Sequence, residues 1–183
     1  MKKGLFWISL SLIAAILLGG CNTTPAAPGT PDAPDTPSPD YEYKTYHLDG
    51  VDYITPNETE AEQFTGVRVD TVEDCRLAAR KFFEMGVKNV VITLGIRGAF
   101  FTDGEREILV PAIKVKALET TGAGDAFNGG LATAIAEGLP METALRFATC
   151  TSAISVSRLG SSASMPHRHE ILALLEREFG VTL

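Results

Sequence analysis

The stretch "VKNVVITLG", residues 87–95, restricts the fold more than any other part of the chain. Its unbroken Val and Ile run is too short for a membrane span and shows no polar alternation, so as a strand it needs cover on both faces. That is the situation of a parallel strand in a layered α/β domain. The segment before it, "VEDCRLAARKFFEMG", carries apolar residues at helical spacing, opens with Thr71 three residues ahead of Asp74, and stops at Gly86. Further upstream, "VDYIT" is a short β-rich run ended by Pro56, and "NETEAEQFTG" is a helical run closed by Gly66. Strand, helix, helix, strand follow in order. Downstream, "GAFFTDGEREILVPAIKV" reads as a hairpin turning at Asp103 and Gly104, which makes the sheet mixed. Three helices, about 124–137, 141–157 and 166–179, complete the pattern. Their stripes Phe127, Leu131, Ile135; Leu145, Ala148, Ile154; and Ile171, Leu174, Leu175 are expected core faces. The expected class is α/β, with helices layered on a mostly parallel sheet that contains a hairpin.

The first fifty residues have a different texture. Residues 1–21 combine Lys2 and Lys3 with the apolar stretch Leu5 to Leu18 and small residues before Cys21, the pattern of an export signal rather than of a folded element. Leu18-Gly19-Gly20-Cys21 resembles a bacterial lipoprotein lipobox. The resemblance implies a lipid anchor on Cys21, with Asn22 favouring the outer membrane of the bacterial envelope. A plain signal peptide or an uncleaved anchor remains open. Residues 22–40, rich in Pro, Thr, Ala and Asp, offer no apolar period and read as a disordered, extended linker. The stretch from Tyr41 to Tyr46 fits either an edge strand or the end of that linker. The folded unit is placed at 41–183.

A net charge of −7 argues against a nucleic-acid backbone as partner, because such a surface needs clustered Lys and Arg. With Cys21 assigned to lipid, Cys75 and Cys150 remain, both on helix faces otherwise filled with Ala and Leu. Buried free thiols are expected there, with a disulfide as the alternative. His47, His167 and His169 read as surface residues, and no Cys or His spacing supports a metal cluster.

The stretch "ALETTGAGDAFNGG", residues 117–130, carries the chemistry. Gly122 and Gly124 let the backbone turn sharply and approach a ligand, and the helix that follows presents unpaired N–H groups and a positive dipole end. Asp125 sits at that end, where the charged carboxylate is favoured. A cradle of donors beside a base is what phosphoryl transfer requires. On spacing alone, Asp125 as a mere cap behind a flexible loop fits somewhat better. The stretch is not the GxxxxGK[ST] phosphate loop.

"TTGAGDAFNGG" resembles the signature of the ribokinase family of PfkB-type carbohydrate kinases. "VDYITPNETEAEQFTG", "VVITLGIRGAFF" and "AISVSRLGSSASMP" resemble three further stretches of that family in the same order. The resemblance spans about residues 51–177 and implies the ribokinase-like fold. It implies transfer of the γ-phosphoryl group of ATP to a sugar hydroxyl, with ribose preferred, and Asp125 as the base. Gly122, Ala123 and Gly124 would supply anion-hole amides, and Asn57 and Glu60 would hold magnesium through water. Thr93, Gly95 and Gly98 would contact the nucleotide, and Thr149 and Ser152 would line the adenine pocket. For potassium, the family uses groups matching Thr121, Ser155, Arg158, Gly160 and Ser164, and an aspartate where this chain has Glu119. The extra methylene of Glu119 argues against tight binding of that ion.

The family's first half holds the sugar grip, a Gly-Gly-Lys-Gly-Ala-Asn-like stretch, an early aspartate and a lid sheet, none of which residues 1–50 resemble. Missing positioning of donor and acceptor removes about 7 to 11 kcal/mol of catalytic advantage. The missing strands also leave an open edge for a second copy or a partner chain. Family homologues would be cytoplasmic, where ATP is plentiful; the envelope is not such a place. A lipid-anchored nucleotide- or phosphate-binding remnant, a truncated or fused gene product, and a partner-dependent half are therefore the alternatives to an active kinase.

Overall fold

A computed structural model describes residues 7–8 and 47–183. A single sheet of five strands runs in the order β1 (Trp7–Ile8), β2 (Tyr53–Ile54), β3 (Asn89–Thr93), β4 (Ala99–Thr102) and β5 (Glu107–Val110). The first three are mutually parallel, and β3, β4 and β5 are antiparallel, so the sheet is mixed. Beyond the two-residue pairing of Trp7–Ile8 with β2, the assignments of the export signal, Cys21 and the Pro-rich linker lie outside the described residues.

Helices α1 (Glu58–Thr65) and α2 (Val72–Glu84) cover one face of the sheet; α3 (Ala123–Ala136), α4 (Met141–Val156) and α5 (Arg168–Phe179) cover the other. Strand alternation divides the core between them. Val90, Ile92 and Phe100 pack with Phe82 and Cys75 on the α2 side, whereas Val91, Phe101 and Val110 pack with Leu131, Leu145 and Leu175 on the α3 side. All four residues of β4 are buried, as a strand covered on both faces demands.

Local chemistry sets the boundaries. Thr71 Oγ1 accepts from the Asp74 N–H at 3.2 Å, and the Asp74 carboxylate accepts from the Thr71 N–H at 2.7 Å, so the expected capping box starts α2. The hairpin turns where expected, with Asp103 Oδ1 accepting from the Glu105 and Arg106 amides and Gly104 at φ 91°. α5 begins two residues later than expected, behind Pro166, because His167 and Glu170 form its capping box.

Cys75 and Cys150 are free and buried, on opposite faces of the sheet, which is why they cannot pair. Burial pushes their thiols up to about 11 and about 12. His47, His167 and His169 are exposed, the last two stacked at 5.8 Å.

Candidate active site

Parallel strands β2 and β3 both end at one rim of the sheet, where α/β folds bind their ligands. The Thr93 N–H donates to the Pro56 carbonyl at 2.9 Å and Asn57 bridges Thr93, so the loop after β2 is tied to the end of β3. Asn57 and Glu60 come together: Glu60 Oε2 accepts from the Asn57 N–H at 3.0 Å and Asn57 Oδ1 from the Glu60 N–H at 2.9 Å. This reciprocal pair caps α1, which gives both residues a structural task.

The turn after β3 is a short 3₁₀ segment, Gly95–Arg97, closed by the Leu94 N–H to the Gly98 carbonyl at 2.8 Å. Gly98 has φ 106°, and a Cβ there would fall 1.9 Å from the Val110 carbonyl oxygen. Only glycine fits, because the start of β4 lies hard against the end of β5. Arg97, which sequence reasoning did not single out, anchors this turn to the α1–α2 loop. Its guanidinium donates to the carbonyls of Val69 and Asp70 and pairs with Glu58. The backbone carbonyls it meets are 27 and 28 positions away, so no local pattern announces it.

Gly122 is the N-cap of α3 at φ 82°, a left-handed conformation that glycine adopts freely. The Ala123 N–H donates to the Thr120 carbonyl at 3.1 Å and is thus engaged internally. The amides of Gly122, Gly124 and Asp125 meet no backbone acceptor among the described residues. Such free donors at a helix start attract an anion. Asp125 is exposed in the first turn of α3 and lines a cavity of about 450 Å³ between α3, α4 and the start of α5.

The residues expected around a monovalent cation gather behind this turn. Glu119 Oε2 accepts from the Gly160 N–H at 2.7 Å, and the Leu118 and Glu119 amides donate to the Val156 carbonyl. Buried Ser155 and Ser164 share a hydroxyl hydrogen bond of 2.9 Å, and Ser164 Oγ also donates to the Ser161 carbonyl. A Cβ on Gly122 would touch Ser161 at 3.5 Å, so the loop 158–164 backs the anion-hole turn. Thr121 is exposed. Arg158 points instead to Glu170, whose carboxyl is held down to about 2 by that guanidinium and by the His167 N–H. In α4, Thr149 is buried and its hydroxyl donates to the Leu145 carbonyl at 2.9 Å; Ser152, one turn on, is half-buried.

The family model for pfkB family carbohydrate kinases matches residues 31–168. The chain belongs to that family. Among relatives of the pfkB chain, the ribokinase of Haemophilus influenzae is 43% identical over 129 residues, which are 70% of this chain and 42% of the relative. Ribokinase of Arabidopsis thaliana is 41% identical over 133 residues, 70% of this chain and 35% of the relative. The solved structure of the Arabidopsis enzyme complexed with ribose and ATP superposes with a TM-score of 0.68 at 38% identity, covering 70% of this chain and 42% of that one. Phosphofructokinase-2 of Escherichia coli in complex with potassium superposes at 0.63 with 25% identity, covering 71% and 42%. This pfkB chain therefore spans less than half the length of the relatives it matches.

Proposed function

We propose that this chain forms the nucleotide-handling part of a ribokinase-type sugar kinase, transferring the γ-phosphoryl group of ATP to a sugar hydroxyl, with ribose the preferred acceptor. The observation that carries the reading is the pairing of free amides at Gly122, Gly124 and Asp125 with a carboxylate that opens onto a cavity. Asp125 takes the proton of the acceptor hydroxyl, its oxygen bonds to the γ-phosphorus, and the bond to the leaving ADP oxygen breaks. The amides receive the charge on the non-bridging oxygens, where aligned donors act most strongly. The Ala123 N–H joins them once it leaves the Thr120 carbonyl.

Asn57 and Glu60 offer hard oxygens, and their capping bonds leave the second carboxylate oxygen of Glu60 to reach magnesium through water, so these residues fit that ion. The ion would neutralise phosphate charge. Thr93, Gly95 and Gly98 shape the nucleotide turn, while Ser152 remains the better adenine contact, because the Thr149 hydroxyl is used inside its helix. The potassium set fits less well. The Glu119 carboxylate already accepts the Gly160 amide, so the 158–164 loop is held by the protein itself.

The Ala123 N–H, already engaged by the Thr120 carbonyl, favours a second reading, a nucleotide- or phosphate-binding module without turnover. Lipid anchoring at Cys21 in the bacterial envelope, with the outer membrane preferred, belongs with either reading. Purified full chain decides between the two. A thermal shift with ATP together with sugar-dependent ADP release supports the kinase; the shift alone leaves the binding module; neither result removes both. Palmitate labelling lost in Cys21→Ser supports the anchor, and labelling that persists refutes it.

A further inference from the structure

Among the described residues, the turn after β3 is fastened to its surroundings by one side chain. Gly95 and Gly98 have none to offer, and Ile96 is 98% exposed. The remaining residue, Arg97, sends its guanidinium to the Val69 carbonyl at 3.2 Å, to the Asp70 carbonyl, and to the Glu58 carboxylate at 3.3 Å. These partners stand 28, 27 and 39 positions away. They belong to two separate segments, the first residue of α1 and the loop that leads into α2.

The backbone bonds of the turn have a different task. The Arg97 N–H donates to the Leu94 carbonyl at 2.9 Å and the Gly98 N–H to the Gly95 carbonyl at 3.2 Å, so both shape the turn from within. Its entrance is fixed by the Thr93 N–H on the Pro56 carbonyl, and its exit by the close approach of Gly98 to Val110. Both ends are thus secured without Arg97. Loss of that side chain frees the tip and spares the fold.

The tip borders open space at the rim where the parallel strands finish, since a Cβ on Gly95 would meet nothing within 4 Å. Across the rim, Asn57 and Glu60 open α1, and Glu58, the partner of Arg97, lies between them. The guanidinium therefore joins the nucleotide turn to the magnesium side of the site. It also offsets a carboxylate that would otherwise repel phosphate. Of its five N–H donors, three meet Asp70, Val69 and Glu58, which makes it a strut rather than a free phosphate ligand. Ligand sites hold their groups to within about 0.5 Å through such supports.

We propose that Arg97 is a positioning residue for the nucleotide: its guanidinium holds the Gly95–Arg97 tip at a fixed distance from the Asn57–Glu60 end of α1, so that Mg·ATP meets both together. The proposal deepens the kinase reading and rests on its nucleotide assignment. A planar fork is needed, because the two carbonyls and the carboxylate come from different segments. A lysine ammonium on its flexible stem keeps the charge and loses that geometry. Without the strut, the ligand itself has to order the tip, and affinity falls by the cost of doing so.

The test measures the Mg·ATP dissociation constant of the full chain by calorimetry, well below its unfolding temperature, for wild type, Arg97→Ala, Arg97→Lys and Arg68→Ala. Arg68 pairs with Asp70 at 2.8 Å in the same loop, so its removal disturbs the loop and leaves the Arg97 bonds in place. Binding should weaken about tenfold in Arg97→Ala and about threefold in Arg97→Lys, and stay within about twofold in Arg68→Ala. Melting temperatures should fall by no more than about 3 °C. In amide NMR of Arg97→Ala, Mg·ATP should still shift Gly122 and Gly124, while the shifts at Gly95 and Gly98 shrink. Arg97 variants that bind as wild type does, with full Gly95 and Gly98 shifts, make the residue a staple of the fold and overturn the proposal. An equal loss in Arg68→Ala overturns it too. If Arg97→Ala unfolds, Arg97→Lys decides by the same criteria. Wild-type chain without saturable Mg·ATP binding overturns the nucleotide reading itself, and the proposal with it.

Discussion

The two faces of the sheet are covered by helices of different character. On one, α2 buries Cys75, Ala78, Ala79 and Phe82 against Val90 and Phe100 and turns Arg76, Arg80, Lys81 and Glu84 outward, where they pair with Glu73, Glu107 and one another. On the other, α3 buries Phe127 and Leu131 but presents Gly129, Thr133 and Ala136 on its outer side. The difference shows that the layer bearing Asp125 presents glycine, threonine and alanine where the other layer presents charged pairs. Asp125 and the uncharged flank sit on the same helix.

The largest expected effect belongs to that helix. Where sugar-dependent turnover is measured, Asp125→Asn should lower kcat by about 10³-fold, roughly 4 kcal/mol, with nucleotide affinity nearly unchanged. A loss below tenfold would make Asp125 a cap. Gly98→Ala should cost about 3 kcal/mol or more in chemical unfolding, because its Cβ meets the Val110 carbonyl at 1.9 Å and its φ is 106°. Adjacent glycines of α3 should then respond with opposite signs. Gly130→Val should destabilise by about 2 kcal/mol through contact with Thr151 and Ala148 of α4. Gly129→Ala should stabilise the free chain by about 0.5 to 1 kcal/mol, since alanine favours the helix and meets nothing. If both destabilise, the bare flank is not bare.

The smallest effect concerns Glu170. Its folded carboxyl lies near 2 and its ordinary value is 4.5, so its pairing with Arg158 stabilises the fold above about pH 4.5, and that contribution disappears as pH falls toward about 2. Glu170→Gln should lower the melting temperature slightly at pH 7, with the gap closing over that acid window. A gap that widens on acidification would contradict the assignment.

Much of this architecture is written in local patterns. The Val and Ile run of β3, the Thr71–Asp74 box and the Asp103–Gly104 turn each depend on residues within a few positions of one another, so a periodicity argument reaches them. The Asn57–Glu60 box is equally local, and the same spacing serves both its capping bonds and the expected magnesium contact. Contacts between distant segments were out of reach. Arg97 meets carbonyls in the α1–α2 loop, Glu119 meets Gly160 41 positions on, and Arg158 turns to Glu170; side-chain types alone do not say which partner wins. The Ala123 N–H donating to Thr120 follows from the left-handed turn at Gly122, a backbone detail that spacing does not encode. The stripe Phe127, Leu131, Ile135 marked the covered face of α3 correctly, with Phe127 and Leu131 buried and Ile135 partly so. Beyond Asp125, α3 carries no charge opposite that stripe.

The most direct test of the central claim is amide NMR of the full chain titrated with magnesium and ATP. The account predicts that the largest proton and nitrogen shifts fall on Gly122, Gly124 and Asp125, that Ala123 shifts as it leaves the Thr120 carbonyl, and that Asp125→Asn keeps the pattern. Saturable binding that leaves these four amides unmoved and shifts others would contradict it.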